Sequence, residues 1–278
     1  MVRILGFLVG LGFVAAAAWS LLWGVIAYVQ EPPQETVEHH FHKHARDIAF
    51  SFDGPFGRYD RQQLQRGFQV YRDVCAGCHG LDFVAFRDLH QLGYSEAEVR
   101  AIADQWPIQV PSINPDTGEP ATRKAIPADR FPNPYANETA ARAANNNAMP
   151  PDLSLIVKAR EGGAPYVESL LTGYQNPPAD LPAENRPGTG LHYNPYFANL
   201  NIAMPPPLTA DGQVTYAPGN PPATRRQMAH DVSAFLAWAA EPNLEARHKT
   251  GIWTLIFLIF GTVLAYMAYQ NVWAGRKH

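Results

Sequence analysis

Apolar residues are concentrated in two long stretches, one near each end of the chain, and a more polar region separates them. Residues 4–29 and 251–272 contain no aspartate, glutamate, lysine or arginine. A helix of about 20 apolar residues is long enough to cross a lipid bilayer. The pattern therefore predicts a membrane-spanning helix at each end of the chain.

The first apolar stretch has two interpretations. A cleaved signal peptide has a short apolar core followed by a cleavage site of small residues, which Ala15–Ala18 resembles. A further apolar run, Trp19–Val29, follows that site, and Pro32 and Pro33 end it. We therefore expect an uncleaved membrane anchor at residues 1–30.

Charged residues beside the two spans indicate how the chain is oriented. Lysine and arginine are most frequent on the cytoplasmic side of a membrane. Arg3 precedes most of the first span, and Arg276 and Lys277 follow the second. These positions predict cytoplasmic chain ends and an exported polar region, although Arg247 and Lys249 weaken the charge rule.

Between the spans, apolar residues recur at helical spacing. Leu64, Phe68 and Tyr71 share one face of the first predicted helix. This helix begins after Asp60, a suitable N-cap residue, and ends at Cys75. Further helices are predicted over residues 95–106, 153–161, 166–172 and 224–241.

Two of these helices begin with a predicted capping box, in which two side chains satisfy free N–H groups reciprocally. Ser95 and Glu98 form the first box. Thr224 and Gln227 form the second, and the helix that follows carries Met228 on its apolar face. A short charged linker is expected between this helix and the second membrane span.

The composition favours loops and short helices over a sheet. The chain has 25 prolines and 21 glycines among 278 residues, and residues 107–151 and 174–222 are expected to be loop-like. Loops of this length are usually functional or packed on a ligand or partner. A formal net charge of -3 gives no sign of nucleic-acid binding.

The only two cysteines of the chain lie in the sequence Cys75-Ala76-Gly77-Cys78-His79. This spacing is typical of a c-type haem attachment site, in which the thiols add to the haem vinyl groups. His79 would bind the iron as its proximal ligand. A zinc site would need a second ligand cluster, and a thioredoxin-like pair would lie in a βαβ pattern. The sequence therefore predicts one covalently bound haem c and no disulfide.

The sixth iron ligand is open at this point. A haem that only transfers electrons normally has both axial positions filled, and methionine opposite histidine raises its potential. The candidates lie in two similar segments, Ala148-Met149-Pro150-Pro151 and Ala203-Met204-Pro205-Pro206. Spacing favours neither methionine, and Met228 is expected in the core.

A histidine-rich run, Glu38–His44, follows the first span. It invites a metal-binding interpretation because histidine is a common metal ligand. We favour a solvated juxtamembrane linker.

Several further motifs follow a single order along about residues 48–275. They are Arg66–Tyr71, Ala141–Asn146, Pro150–Ser154, Leu171–Tyr174, Tyr193–Phe197, Pro222–Thr224 and Trp238–Pro242. Together with the haem motif they resemble the cytochrome c1 family. This family is the haem-c subunit of quinol–cytochrome c oxidoreductase, the cytochrome bc1 complex.

The resemblance implies roles for single residues. Met204 matches the axial methionine of the family, whereas Met149 would line the haem without binding iron. Arg160 matches the arginine that meets a haem propionate, to which a guanidinium can donate two parallel hydrogen bonds. The positions that match the haem pocket are Asn145, Pro151, Tyr166, Leu171 and Phe197.

The resemblance also implies a fold and a location. We expect an all-α, class I-like cytochrome c domain with long Pro-rich loops, flanked by the N-terminal anchor and the C-terminal transmembrane helix. A juxtamembrane linker would cover residues 31–47, the periplasmic domain residues 48–245, and the helix residues 250–273. The expected location is a bacterial inner membrane.

The implied function is electron transfer. The haem would take one electron from a Rieske iron–sulfur protein and pass it to a soluble or membrane-anchored c-type cytochrome. This chain alone would carry out no substrate-bond chemistry. The other implied partners are cytochrome b, membrane lipid and a second copy of the complex. The alternatives are a cytochrome subunit of a terminal oxidase or periplasmic dehydrogenase, a haem peroxidase or gas sensor, and a purely structural membrane protein.

Overall fold

The computed structural model describes residues 2–32 and 35–276, and the chain divides into two compact units. The first unit ends at Phe41, and the second begins at His42. Pro33, expected to help end the first span, and Lys277, expected on the cytoplasmic side, lie outside the described residues.

Two of the described helices are long and apolar enough to cross a membrane. Helix α1, Val2–Gln30, belongs to the first unit, as does the short helix α2, Val37–Phe41. Helix α9, Leu244–Trp273, is the last element of the second unit. Their most apolar windows have mean hydropathies of 2.1 and 2.0, with no part of either window buried. The two apolar stretches are therefore long helices with exposed side chains, as predicted.

The second unit is mainly helical. In its described part, the α-helices before α9 are α3 (Arg61–Val70), α4 (Glu96–Asp104), α5 (Glu138–Ala144), α6 (Ile156–Ala159), α7 (Gly163–Leu171) and α8 (Arg225–Ala240). Other helical segments are a π-helical turn at Tyr71–Cys75 and 3-10 segments at Phe86–Leu92 and Ala183–Asn185. The antiparallel strand pairs are β1 (Val110–Ile113) with β2 (Pro120–Arg123), and β3 (His192–Tyr193) with β4 (Asn201–Ile202).

Helices α3 and α8 cross in close contact at the centre of the domain. The crossing point is Gly67, where an added Cβ would lie 2.1 Å from the Asp231 carbonyl oxygen and 2.7 Å from the Phe235 Cβ. Leu64 and Phe68 on α3 are each only 1% exposed. The apolar face predicted for this helix is therefore the face that packs.

An aromatic cluster fills the core beside this crossing. Phe86, Trp106 and Phe131 lie with their ring centroids 4.3–5.5 Å apart. Phe68 lies 6.4 Å from Trp106 and 6.1 Å from Phe131. Aromatic rings bury a large apolar area, and edge-to-face contacts add to it. Met228, predicted in the core, is fully buried in α8.

The prediction that residues 107–151 are loop-like is wrong in two places. Strands β1 and β2 pair as a hairpin over Val110–Arg123. Asn137 caps helix α5 by accepting a hydrogen bond from the Ala140 N–H at 2.9 Å. Both elements are short, and Pro111 and Pro120 interrupt the strand pattern because proline cannot donate to a ladder.

Helix α6 is shorter than the predicted helix at residues 153–161. Asp152 accepts a hydrogen bond from the Ser154 N–H at 2.8 Å. Because such a side-chain bond competes with helix formation, the helix starts only at Ile156. Gly162 has a left-handed φ of 83°, and α7 begins directly after it at Gly163, before the predicted start at residue 166.

Only half of the predicted capping box at α8 forms. The Thr224 hydroxyl accepts a hydrogen bond from the Gln227 N–H at 3.1 Å, but the Gln227 side chain donates to Asp231 at 2.9 Å. The buried Asp231 carboxylate therefore takes the amide that the capping box would need. At α4, the predicted box between Ser95 and Glu98 forms completely.

The charged linker predicted before the second span is helical. Helix α9 starts at Leu244, so Arg247 and Lys249 lie in its first turns. Its start is held to the domain because Leu244 is buried and Glu245 accepts a hydrogen bond from the Tyr59 N–H at 3.0 Å. The expected boundary at residue 250 therefore lies inside a continuous helix.

Candidate haem site

The Cys-x-x-Cys-His motif directly follows helix α3, through the π-helical turn. In this turn the Ala76 N–H donates to the Tyr71 carbonyl oxygen at 2.8 Å. The N–H groups of Cys78 and His79 both donate to the Cys75 carbonyl oxygen, at 3.1 and 2.9 Å. Residues three and four apart therefore stay on one face, as the spacing predicts. Single π-helical turns of this kind often occur at functional sites.

Tyr71 holds the C-terminal end of the motif, at His79. Its hydroxyl donates to the His79 carbonyl oxygen at 3.1 Å. Burial raises the pKa of Tyr71, so the hydroxyl remains a neutral donor. Sequence reasoning placed Tyr71 only on an apolar helix face and missed this role.

Both thiols of the motif are free. Burial, with a smaller effect from Cys78, raises the pKa of Cys75 to about 12. In the described residues the motif follows an α-helix and belongs to no βαβ unit, which disfavours the thioredoxin-like interpretation.

The ring orientation of His79 is set by a main-chain carbonyl. Its Nδ1 lies 2.7 Å from the Pro151 carbonyl oxygen. Since a carbonyl can only accept, Nδ1 carries the proton and Nε2 keeps its lone pair free for a metal ion. Burial lowers the pKa of His79, which favours the neutral ring that metal binding requires. This arrangement matches the way metal-binding histidines are usually oriented.

Pro151 is itself positioned by contacts between its neighbours and the residues after the motif. The Leu153 N–H donates to the Gly80 carbonyl oxygen at 3.0 Å. The Asp152 carboxylate accepts the Asp82 N–H at 2.8 Å. These bonds dock the Pro-Pro-Asp-Leu segment against the chain that leaves His79. Sequence reasoning assigned no role to Asp152.

Asn145 lies on the Cys78 side of the site. Its amide donates to the Ala141 carbonyl oxygen at 2.7 Å, inside helix α5. Tyr135 interacts with both Asn145 and Cys78. Tyr135 is a further residue that sequence reasoning missed, because no local pattern links it to the haem motif.

A second group of residues lies around Tyr174, which contacts the Met204 main chain. Tyr174 donates its hydroxyl to the Met204 carbonyl oxygen at 3.0 Å. Burial raises the pKa of Tyr174, with Tyr166 adding to the effect. Burial also raises the pKa of Tyr166, and the neighbouring Arg160 opposes that rise. Tyr174 therefore interacts with both the Met204 main chain and Tyr166, and Tyr166 interacts in turn with Arg160.

The comparisons with known proteins agree with one another. The sequence matches the Cytochrome C1 family over residues 50–276. It is 44% identical to the cytochrome c1 of Rhodospirillum rubrum, over 82% of this chain and 87% of that protein. It is 45% identical to a mitochondrial cytochrome c1 heme protein of Saccharomyces cerevisiae, over 84% of this chain and 74% of that protein. The chain belongs to the cytochrome c1 family.

A further relative differs in its length. The cytochrome b/c1 of Bradyrhizobium diazoefficiens is 44% identical over 81% of this chain, but the match covers only 35% of that protein. Family membership confirms the resemblance carried by the motifs, and it confirms the expected all-α class despite two small strand pairs. A cytochrome c1 is the haem subunit of the bc1 complex, so the family implies a haem cofactor.

The residues of this family member fit a haem. The motif presents two free thiols and an imidazole whose Nε2 is available. Apolar groups adjoin it, since Cys75, Tyr166 and Leu171 are half-buried and pack against the same hydrophobic core. Phe197 is half-buried in the turn before β4, where its N–H donates to the Asn194 carbonyl oxygen at 3.0 Å.

The two candidate methionines differ in their surroundings. Met149 is 47% exposed. Met204 is partly buried, and its main chain is held by Tyr174. Arg160 is exposed, and in the described part of the chain it forms no salt bridge.

The histidine-rich run Glu38–His44 covers most of helix α2 and the start of the second unit. Within residues 2–32 and 35–276, no group of three or more His, Cys, Asp or Glu side chains is placed to hold a metal ion.

Proposed function

We propose that this member of the cytochrome c1 family holds one haem c through thioether bonds from Cys75 and Cys78. His79 and Met204 would bind its iron. The observation that carries the proposal is the hydrogen bond from His79 Nδ1 to the Pro151 carbonyl oxygen, because it leaves Nε2 free beside the two thiols. When bound, the haem supplies the one-electron chemistry that these side chains lack.

The other pocket residues position the group and exclude water. Arg160 binds a haem propionate with its exposed guanidinium, which also donates to the neighbouring Ala159 carbonyl oxygen and interacts with the Tyr166 hydroxyl. Exclusion of water by apolar walls tunes the potential of such a group. The residues proposed to line the pocket are Asn145, Pro151, Tyr166, Leu171 and Phe197.

The proposed reaction is the transfer of single electrons from a Rieske iron–sulfur protein to a soluble or membrane-anchored c-type cytochrome. The complex would be quinol–cytochrome c oxidoreductase, in which this chain breaks no substrate bond. Cytochrome b would pack beside helix α9 in a dimeric complex surrounded by membrane lipid. The name cytochrome b/c1 of the Bradyrhizobium relative supports an association between cytochromes b and c1.

We further propose that the complex lies in a bacterial inner membrane, with the haem domain in the periplasm. Helix α1 would remain as an anchor, and α9 would be the second span. Two apolar helices of sufficient length and the positions of Arg3 and Arg276 support this arrangement.

The test is the haem midpoint potential of the purified complex with Met204→Leu, beside Met149→Leu as the matched control. Ligand identity moves haem potentials over about 0.8 V in all. We expect Met204→Leu to lower the potential by about a few tenths of a volt and to allow carbon monoxide binding. Met149→Leu should keep the parent values. The reverse result would make Met149 the ligand and remove the proposed pocket.

Co-purification distinguishes the proposed complex from its alternatives. We expect the tagged chain to bring down cytochrome b and a Rieske protein from detergent-solubilised membranes. Recovery with a terminal oxidase or a dehydrogenase would contradict the proposal. Rapid carbon monoxide binding to the native reduced haem would instead indicate a peroxidase or gas sensor, and absence of covalent haem would indicate a structural protein.

A further inference from the structure

The segment at the start of the second unit lies along the part of the domain that leads to Met204. Lys43 donates its main-chain N–H to the Pro195 carbonyl oxygen at 2.7 Å. Arg46 donates its main-chain N–H to the Ser169 hydroxyl at 3.0 Å. The sequence predicts only a linker here. These two bonds instead fix the segment to helix α7 and to the turn that follows β3.

The Arg46 side chain contacts both helix α7 and the turn that follows β3. Its guanidinium donates to the Glu168 carbonyl oxygen at 3.4 Å and to the Thr172 hydroxyl. Both acceptors lie near the C-terminal end of α7, where the Glu168 carbonyl oxygen also accepts the Thr172 N–H at 3.1 Å. The Arg46 Cζ also lies 5.6 Å from the centroid of the Tyr196 ring, within the range of a cation–π interaction. Arg46 therefore lies between the end of α7 and the turn that carries Tyr196.

The end of α7 and the turn that carries Tyr196 are in close contact. The first is connected to Met204 through Tyr174, and the second along the chain. An added Cβ on Gly173 would lie only 2.4 Å from Tyr196 Cδ2, so glycine is needed for this approach. The Asn194 amide donates to a carbonyl oxygen of α7 at 2.8 Å. Tyr174, the next residue after Gly173, donates its hydroxyl to the Met204 carbonyl oxygen at 3.0 Å. A continuous set of contacts thus runs from Arg46 to the main chain of Met204.

We propose that Arg46 and Tyr174 are positioning residues that hold the Met204 loop in place for iron binding. The proposal rests on the proposed role of Met204 as the axial ligand. Tyr174 acts directly on the Met204 main chain, and Arg46 acts through the end of α7 and through Tyr196. Arginine suits this place because its planar group contacts several acceptors and an aromatic face at once, which the point charge of lysine does not.

The experiment compares Tyr174→Phe, Arg46→Gln and Arg46→Lys with the parent in the purified complex. The readouts are the sulfur-to-iron charge-transfer band of the oxidised haem and the rate of carbon monoxide binding to the reduced haem. Loss of one hydrogen bond that holds the loop raises the fraction of molecules in which Met204 is away from the iron by about two- to tenfold. We expect a carbon monoxide rate increased by that factor in Tyr174→Phe and Arg46→Gln, with a weakened band. Arg46→Lys should give an intermediate increase.

Two matched controls separate positioning from general stability. Tyr59→Phe removes a hydroxyl that donates to the carbonyl oxygens of Ala237 and Glu241 at 3.2 and 3.1 Å, away from Met204 in the chain. Arg226→Gln removes an exposed arginine whose Nε lies 4.0 Å from the Glu168 carboxylate. Both controls should keep the parent band and the parent carbon monoxide rate.

The outcomes are distinguishable. Parent-like behaviour of Tyr174→Phe and both Arg46 variants would overturn this inference, as would equal changes in the controls. If Arg46→Gln does not accumulate haem, Arg46→Lys decides, because parent-like values in that variant would overturn the role of Arg46. Met204→Leu tests the proposed function separately, since a band that survives this substitution would show that Met204 is not the ligand.

Discussion

At the scale of single residues, the site depends on hydrogen bonds between side chains and main-chain groups. The Pro151 carbonyl sets the ring of His79, and the Tyr71 hydroxyl holds the His79 carbonyl. Tyr174 holds the main chain of Met204 in the same way. The residue types in the motif thus predict the chemistry, but the orientation of each group depends on a partner elsewhere in the chain.

Glycine at position 67 is required by the approach of two backbones. We expect Gly67→Ala to lower the free energy of unfolding by about 3 kcal/mol, because the new methyl group would overlap the Asp231 carbonyl. Gly188→Ala is the control, since an added Cβ there meets nothing within 4 Å and the residue lies outside the haem motif. Thermal unfolding of the detergent-solubilised protein measures the difference. Equal midpoints for the two variants would contradict the close crossing.

The Asp129 carboxylate makes the free energy of unfolding depend on pH in the acid range. The Arg123 guanidinium, with distances of 2.6 and 2.7 Å, and the Ile126 N–H hold the pKa of Asp129 below its ordinary value of 3.8. The carboxylate therefore stabilises the fold above that ordinary value, and the contribution is lost as the pH falls through the lower pKa of the folded state.

The variant Asp129→Asn tests this dependence. We expect a loss of about 1 kcal/mol at pH 7, because solvent screens the partly exposed Arg123. The parent and the variant should converge as the pH falls below the lowered pKa of Asp129 in the folded state. Urea unfolding across this pH range measures the difference, and a difference that stays constant with pH would contradict the assignment.

At the scale of elements, helices α3 and α8 determine where the haem motif lies. Gly67 allows them to cross closely, and a buried ion pair lies beside the crossing. Asp231 is fully buried and accepts two hydrogen bonds from Arg66, at 2.9 and 3.1 Å. Gln227 and Tyr216 donate to the same carboxylate at 2.9 and 3.0 Å. This network fixes the helix that carries the motif at its C-terminal end.

Removal of the Arg66 side chain leaves the buried Asp231 carboxylate without its cation. We expect Arg66→Ala to destabilise the domain by about 3 kcal/mol, since breaking a buried pair strands its partner. Arg226→Ala, at an arginine side chain that is 78% exposed, should change the stability by less than about 0.5 kcal/mol. Denaturant midpoints compare the two variants. A similar shift in both would show that the ion pair adds nothing to the crossing.

At the scale of the whole molecule, two long apolar helices lie at the two ends of a chain whose middle forms the haem domain. Their hydropathy and exposure are similar. They differ in how they join the rest of the chain, because α9 begins within the domain, at the buried Leu244. The sequence predicted the two spans but placed a linker where the structure has helix.

Retention of α1 can be tested by truncation. A variant that ends at Lys249 lacks the apolar stretch of α9 but keeps α1. We expect it to stay in the membrane after an alkaline wash, because one uncleaved span suffices as an anchor. Replacement of residues 1–30 by a cleavable signal peptide in the same truncated chain is the control and should release the domain. Release of the first variant as well would show that α1 is cleaved.

Much of the fold was predictable because its signals are local. The spans, the helix that leads into the motif and the capping box at Ser95 each depend on residues within a few turns of one another. Two of the misjudged elements are those in which a side chain found another partner. Gln227 donates to Asp231 instead of completing a capping box, and Asp152 delays the start of α6.

The sequence by itself determined the chemistry of this protein: a pair of thiols and a histidine at fixed spacing, and two apolar stretches. Covalent spacing and hydrophobicity are properties of neighbouring residues, so no fold is needed to recognise them. Only the tertiary structure decided which groups orient that chemistry. The contact of His79 with Pro151 bridges 72 positions, and that of Arg46 with Ser169 bridges 123. Such contacts form because the packing of the helices brings distant segments together, which no local pattern records.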